Sequence, residues 1–222
     1  MIFWCEQAWL SDGWCNNVRL TVENGRISAI ETGVDAAPGD ERHAIFLPGL
    51  PNLHSHAFQR GMAGLAERAG AGDDSFWTWR EVMYRFVDRL DPEGMRAIAA
   101  LAYAEMLESG FTRVGEFHYL HHAVDGRPYD DLAVMAGAIA EAAGETGIGL
   151  TLLPVFYAHS GFGGAAPTHG QRRFINDPGR FAMLLEGSRS AVAGLADAVV
   201  GVAPHSLRAA TADELAMVAA MA

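Results

Sequence analysis

The sequence predicts an α/β fold: a small β-sandwich-like region over residues 1–45, then the amino-terminal portion of a TIM-like (β/α)8 barrel over residues 46–222. Three observations predict it. Apolar and polar residues alternate in the first region around a tight-turn dipeptide. Beyond it, short apolar strands alternate with helical patterns, as in parallel βα units. Half of the 222 residues are hydrophobic, which is enough for a substantial core.

The first region contains a β-hairpin. The stretch VRLTVENGRISAIETG alternates on both sides of Asn24-Gly25, a dipeptide favoured in two-residue turns because both positions need positive φ. Pro38 and Gly39 then end the alternation, which predicts a loop leading into the barrel.

The barrel region is predicted from strands and helices in turn. The predicted strands are AIFLPGLPNLHSH, TRVGEFHYL, GIGLTLLPVFY and DAVVGVAPHSL. Apolar residues three and four positions apart predict helices over residues 74–90, 92–110, 130–147 and 178–196. Asp91 before Pro92 has the pattern of a helix start. Thr211 and Glu214 have the capping-box spacing, so a last helix is expected from Ala212.

The count of strands predicts an incomplete barrel. A closed barrel needs eight strands and about 250 residues, whereas about four strands are predicted here. An open half barrel leaves two strand edges unpaired, which favours association. A homodimer is therefore one state that the sequence leaves open.

Composition excludes several classes of partner. The formal net charge is -11 and no block of Lys or Arg occurs, which argues against nucleic acid and against an anionic membrane surface. The amino terminus lacks the basic segment of a signal peptide, and no apolar run is long enough for a membrane span. The only two cysteines, Cys5 and Cys15, are expected to be reduced, so a cytoplasmic protein is expected.

Two histidines at the end of the first barrel strand are candidate metal ligands. A strand points residues i and i+2 to the same side, so His54 and His56 can share one cation. The spacing alone is weak evidence. The position favours metal binding, because barrel enzymes build their sites at the carboxyl ends of the strands.

Five stretches together resemble the amidohydrolase superfamily of metal-dependent hydrolases: PGLPNLHSHAFQR, DSFWTWREVMYR, EFHYLHH, GQRRFIN and APHSLRA. Within it, HSHAFQRGMAGLAE with DSFWTWRE is similar to the formimidoylglutamate deiminase family. The resemblance runs through essentially the whole chain. It implies a cytoplasmic enzyme of histidine degradation with one Zn²⁺ per intact subunit. The implied reaction converts N-formimidoyl-L-glutamate to N-formyl-L-glutamate and ammonia through a zinc-activated water.

The resemblance also implies roles for individual residues. His54 and His56 bind the metal, and the family's other His and Asp ligands and its proton-transferring Glu and His are expected beyond Ala222. No catalytic acid or base is therefore assigned here, and weak metal binding is expected. Arginine suits a carboxylate because its two-pronged donor geometry matches one. The implied substrate-binding residues are Gln59, Arg80, Tyr119, His205 and Arg208.

Other residues are assigned to packing or solvent. Glu116 and His118 are expected to face away from Tyr119 on their strand. The aromatic residues of FWTWREVMYRF are expected in the core. The Gly-rich loop 160–176 is left open as a lid or an oligomer contact. Solvated positions are expected for His43, His121, His122, His159 and His169.

Two alternative functions stay open. One is an amidohydrolase that deaminates a heterocycle such as guanine, which would not need two carboxylate-binding arginines. The other is a non-catalytic fragment, because the predicted barrel is incomplete.

Overall fold

Two units make up the chain in a computed structural model that describes residues 1–65 and 75–222. They are Met1–Gly49 and Leu50–Ala222. The first unit is a four-stranded sheet of order β3-β2-β1-β4. Its strands are β1 (Ile2–Leu10), β2 (Gly13–Glu23), β3 (Arg26–Glu31) and β4 (Glu41–Phe46).

The hairpin predicted in the first unit is confirmed. Strands β2 and β3 pair antiparallel, and the turn residues Asn24 and Gly25 have φ of 52° and 75°. These left-handed values are the reason that Asn-Gly suits this turn. The small core of the sheet consists of Cys5, Ala8, Val18 and Leu20.

The first predicted barrel strand is in fact two strands. Residues Glu41–Phe46 form β4, which pairs in parallel with β1 in the first unit. Residues Leu50–Ser55 form β5, the first strand of the second unit. Pro48 lies between them, and its ring nitrogen has no hydrogen to donate to a sheet ladder.

The second unit is a parallel sheet with helices between its strands. The strands lie in the order β5-β6-β7-β8, and β9 pairs with β7 as well. Their bounds are β6 (Phe111–His118), β7 (Gly149–Phe156), β8 (Ala198–Val200) and β9 (Ala203–Pro204). The stretch DAVVGVAPHSL, predicted as one strand, thus supplies two short ones. The architecture is that of a partial TIM-like barrel.

The predicted helices are all present in the second unit. They are α1 (Phe76–Val87), α2 (Pro92–Glu108), α3 (Val134–Thr146), α4 (Pro178–Val192) and α5 (Ala212–Ala219). The predicted start of α1 at Asp74, and the last two residues of the stretch HSHAFQRGMAGLAE, Ala66 and Glu67, lie outside the described residues. None of the helices in the described ranges is long and apolar enough to cross a membrane.

The helix starts follow the sequence signals. Asp91 accepts a hydrogen bond from the Gly94 amide at 2.8 Å and so caps α2. At α5 the Thr211 amide donates to Glu214 at 2.7 Å, and the Glu214 amide donates to Thr211 Oγ1 at 3.3 Å. This is the predicted capping box.

A buried arginine joins the turn after β6 to the end of α1. Arg173 is fully buried and donates to the carbonyls of His122 at 2.7 Å, of Leu90 at 2.8 Å and of Val87. Its own carbonyl accepts from the amides of His121 and His122 at 3.0 Å. The prediction that these two histidines are solvated is therefore wrong, because residues around Arg173 cover the turn.

His118 predicts a loss of stability in acid. Burial, with a smaller effect of His56, lowers the pKa of His118 to about 3, whereas an unfolded histidine titrates near 6.5. The unfolded chain binds the proton first, so stability falls as the pH drops from 6.5 toward 3. Between pH 7 and pH 5 we expect this residue to cost about 2 kcal/mol.

Urea unfolding of the wild-type protein and of His118→Leu at both pH values measures this contribution. The variant should lose less stability between the two pH values than the wild type. An equal loss in both proteins would contradict the prediction.

Candidate active site

A cavity of about 300 Å³ lies at the carboxyl ends of the parallel strands. His54 is near the end of β5, and Phe117 near the end of β6. Tyr157 follows β7 directly, and His205 follows β9. Barrel enzymes place their active sites at this end of the sheet.

All seven residues predicted for the site line this one cavity. They are His54, His56, Gln59, Arg80, Tyr119, His205 and Arg208. Five come from the turns that follow the strands or from the strand ends themselves, Gln59 from the 3-10 helix Ala57–Met62, and Arg80 from α1. The structure thus brings the predicted residues together, and their roles remain predictions.

The two histidines point their ring nitrogens at each other. His54 Nε2 and His56 Nε2 are 3.1 Å apart. His56 Nδ1 lies 3.0 Å from the Phe117 carbonyl, which can only accept, so Nδ1 carries the hydrogen and Nε2 presents its lone pair. Burial lowers the pKa of His56 below its usual value, with His54 adding to this effect and the hydrogen bond to Phe117 opposing it, so the neutral ring is favoured near pH 7.

The pair fits two positions of a metal site. Two nitrogens bound to one tetrahedral zinc ion at about 2.0–2.1 Å lie roughly 3.3–3.4 Å apart, close to the observed separation. A catalytic zinc site usually has three protein ligands. Residues 1–65 and 75–222 contain no group of three His, Cys, Asp or Glu side chains placed to hold an ion.

A buried carboxyl group supports the histidine pair from the other side of the sheet. Glu116 accepts hydrogen bonds from the Ala57 amide at 2.8 Å and from the Tyr103 hydroxyl at 3.2 Å. Ala57 directly follows His56, so Glu116 holds the chain where the ligands are presented. Burial raises the pKa of Glu116. Neither Glu116 nor His118 lines the cavity, as predicted from the alternation of the strand.

Two arginines bring positive charge to the cavity of an acidic protein. The Arg80 guanidinium carbon lies 4.7 Å from the Trp77 ring centroid and 5.3 Å from that of Tyr84. Such stacking holds a guanidinium while leaving its N–H edge free to bind an anion. Among the described residues, no carboxylate lies within 4 Å of Arg80 or Arg208. The cavity therefore offers two cations to an anionic ligand.

The remaining predicted residues supply neutral polar groups. Gln59 Nε2 donates to the Tyr119 hydroxyl at 3.2 Å, and Tyr119 donates to the Met83 sulfur at 3.4 Å. Burial, then His56 and Arg208, lowers the pKa of His205 to about 4. His205 is therefore neutral near pH 7 and can accept or donate a hydrogen bond.

Several cavity residues were not predicted. The core packing expected of the α1 aromatic residues is wrong for Phe76 and Trp77, which are each 57 % exposed. Trp79 packs against the core as predicted, and it also lines the cavity, as Phe76 does. Tyr157 could have been found, because it follows a strand end as His205 does. Phe174 could not, because it comes from residues 160–176, whose role the sequence left open.

The fold and the cavity together define the class. A partial parallel βα barrel with a histidine pair and two arginines at the carboxyl ends of its strands has the arrangement of a barrel enzyme's active site. The chain belongs to the amidohydrolase family, whose model matches residues 45–222. Residues 1–44 match the model described as the N-terminal domain of formimidoylglutamate deiminase HutF.

Several curated proteins are similar to this chain in sequence. The chain is 50% identical over 216 residues to the formimidoylglutamate deiminase of Pseudomonas aeruginosa, which is 97% of this chain and 48% of that protein. It is 30% identical over 129 residues to the 8-oxoguanine deaminase of the same organism, covering 55% of this chain and 27% of that one. The chain thus spans about half the length of the deiminase that it matches.

Solved structures support the same fold. A crystal structure of an amidohydrolase from Brucella melitensis superposes with a TM-score of 0.96 and 60% identity, covering 99% of this chain and 49% of that one. Atrazine chlorohydrolase from Arthrobacter aurescens, complexed with zinc and atraton, matches with a TM-score of 0.75 and 16% identity. That match covers 99% of this chain and 50% of the other, and it supports the fold alone.

Proposed function

We propose that this chain is part of a cytoplasmic enzyme that hydrolyses N-formimidoyl-L-glutamate to N-formyl-L-glutamate and ammonia. The main support for this substrate is a pair of arginines in the cavity, Arg80 and Arg208. Neither has a carboxylate partner among the described residues. A glutamate derivative has two carboxylates, and each suits one guanidinium fork. The similarity to formimidoylglutamate deiminase supports the same substrate.

In this proposal, one set of cavity residues binds the substrate and another holds the metal ion. Arg80 and Arg208 bind the carboxylates and so orient the amidine end of the substrate toward His54 and His56. Gln59, Tyr119 and His205 bind polar atoms between these ends. His54 and His56 would hold one zinc ion, and Glu116 keeps their backbone in place through Ala57. When bound, zinc supplies a water that ionises near neutral pH.

A heterocycle deaminase is the second candidate. The wall formed by Phe76, Trp79, Phe117 and Phe174 could stack a planar base. The 30% identity to 8-oxoguanine deaminase also supports a heterocycle deaminase. Two unpaired arginines favour the glutamate derivative, because a neutral base leaves both without a partner.

An ammonia-release assay decides between the two candidates. The zinc-loaded enzyme that carries this sequence should release ammonia from N-formimidoyl-L-glutamate and none from guanine. His56→Asn should abolish release, whereas His43→Asn, which alters an exposed histidine on β4, should leave it unchanged. Ammonia from guanine alone would overturn the proposal.

A further inference from the structure

The segment of residues 170–174 contains a buried glutamine with a fixed orientation. Gln171 is 1 % exposed. Its Oε1 lies 2.8 Å from the backbone amide of Thr168 and 3.0 Å from the Thr168 hydroxyl. A backbone amide can only donate, so this atom must be the oxygen of the side chain and the other must be the NH2 group.

This orientation determines the direction of the next hydrogen bond. Gln171 Nε2 lies 2.7 Å from the hydroxyl oxygen of Tyr157, and since the NH2 group can only donate, Tyr157 accepts. The hydroxyl hydrogen of Tyr157 is then left to donate elsewhere. Within residues 1–65 and 75–222, no acceptor for it is found at hydrogen-bond distance. By contrast, Tyr119 both accepts from Gln59 and donates to Met83.

The ring of Tyr157 also packs against two other rings at the cavity wall. Its ring centroid lies 4.4 Å from that of His205 and 6.0 Å from that of Phe174. The residue is 9 % exposed and lines the cavity. A ligand bound in this cavity can therefore supply the acceptor for its hydroxyl hydrogen.

We propose that Tyr157 is a specificity-determining residue whose hydroxyl donates to a carboxylate oxygen of the ligand, and that Gln171 is the positioning residue that sets this polarity. The inference rests on the proposed function for the identity of the ligand. A cavity that already presents two guanidinium groups suits a ligand rich in acceptor atoms. A phenol held as a donor adds selectivity, because a donor group at the same place on a ligand would be rejected.

Raman spectroscopy of the ligand-free protein tests the polarity without any substrate. The intensity ratio of the tyrosine Fermi doublet is high where the phenol oxygen accepts and low where the phenol donates strongly. The difference between wild type and Tyr157→Phe isolates the signal of Tyr157. In Gln171→Glu, the carboxylate can only accept, so the Tyr157 hydroxyl should donate to it instead of accepting. The intensity ratio should therefore fall. A ratio that is unchanged or higher overturns the inference.

Kinetics test the ligand contact. Tyr157→Phe should raise KM for N-formimidoyl-L-glutamate roughly 10- to 100-fold with little change in kcat, as for loss of a hydrogen bond to a charged group. Gln171→Glu should raise KM by a similar factor, and the double variant should be no worse than either single one. If Gln171 acted only on the stability of the fold and not through Tyr157, the KM increases of the two single variants would multiply in the double variant. That result would contradict the inference.

Control variants separate the remaining outcomes. Gln7→Glu adds the same charge at an exposed position of β1, in the first unit, and should leave KM unchanged. If Gln171→Glu does not fold, Gln171→Met removes the donor and should shift the Raman ratio while raising KM less than Tyr157→Phe does. Should the enzyme release no ammonia from the substrate, the proposed function fails, and the Raman result still decides the polarity of Tyr157.

Discussion

Replacing Arg80 by methionine is expected to raise KM for N-formimidoyl-L-glutamate by roughly 30- to 1000-fold. Charge-assisted hydrogen bonds from a guanidinium to a carboxylate in a partly desolvated site are worth about 2–4 kcal/mol. Arg80 stacks over Trp77 and Tyr84, so its guanidinium is already oriented before the ligand binds. Steady-state kinetics of the zinc-loaded enzyme measure the effect.

Arg85→Met provides the matched control for this change. Arg85 lies on the same helix, α1, is exposed and does not line the cavity. Its loss removes the same charge and should change KM by less than about 2-fold, since exposed charges contribute little. If both variants raised KM equally, the long-range effect of the charge and not a direct contact would explain the result. Arg80 would then no longer be assigned as a substrate-binding residue.

Replacing Arg173 by methionine is expected to lower the free energy of unfolding by about 3–5 kcal/mol. The arginine is fully buried and donates to the carbonyls of Val87, Leu90 and His122. Methionine fills much of the same volume but leaves these buried acceptors without donors. Such groups cost about 1–3 kcal/mol each. Urea unfolding followed by circular dichroism measures the loss.

Two further variants separate charge from hydrogen bonding. Arg173→Lys keeps the charge but cannot reach three carbonyls in one plane, so it should recover only part of the loss. Arg127→Met, at an arginine whose side chain is 86% exposed, should change the stability by less than about 0.5 kcal/mol. A stable Arg173→Met protein would show that the carbonyls find other donors.

Local signals in the sequence were enough for the elements and for part of the site. The Asn24-Gly25 turn, the Asp91 cap and the Thr211 capping box depend on residues within a few positions of each other, so their physics can be read directly from the chain. The two-residue period of a strand likewise placed His54 and His56 on one side and separated Glu116 from Tyr119.

The tertiary structure decided what depends on partners distant in the chain. His122 is buried because Arg173, 51 positions later, covers its turn, and a pattern of neighbouring residues contains no such information. Tyr157 obtains its polarity from Gln171, which is 14 positions away and in a separate segment. The ordering of the strand ends and α1 around one cavity decided that the exposed Phe76 lines this cavity, and that Trp79 lines it as well as packing against the core.

The sequence by itself therefore determined the fold class, the helices and the side of each strand on which the candidate residues lie. These features follow from backbone geometry that repeats every two or 3.6 residues. Only the tertiary structure decided which buried polar groups satisfy one another. Each buried donor needs an acceptor within about 3 Å, and folding brings that acceptor from any position in the chain.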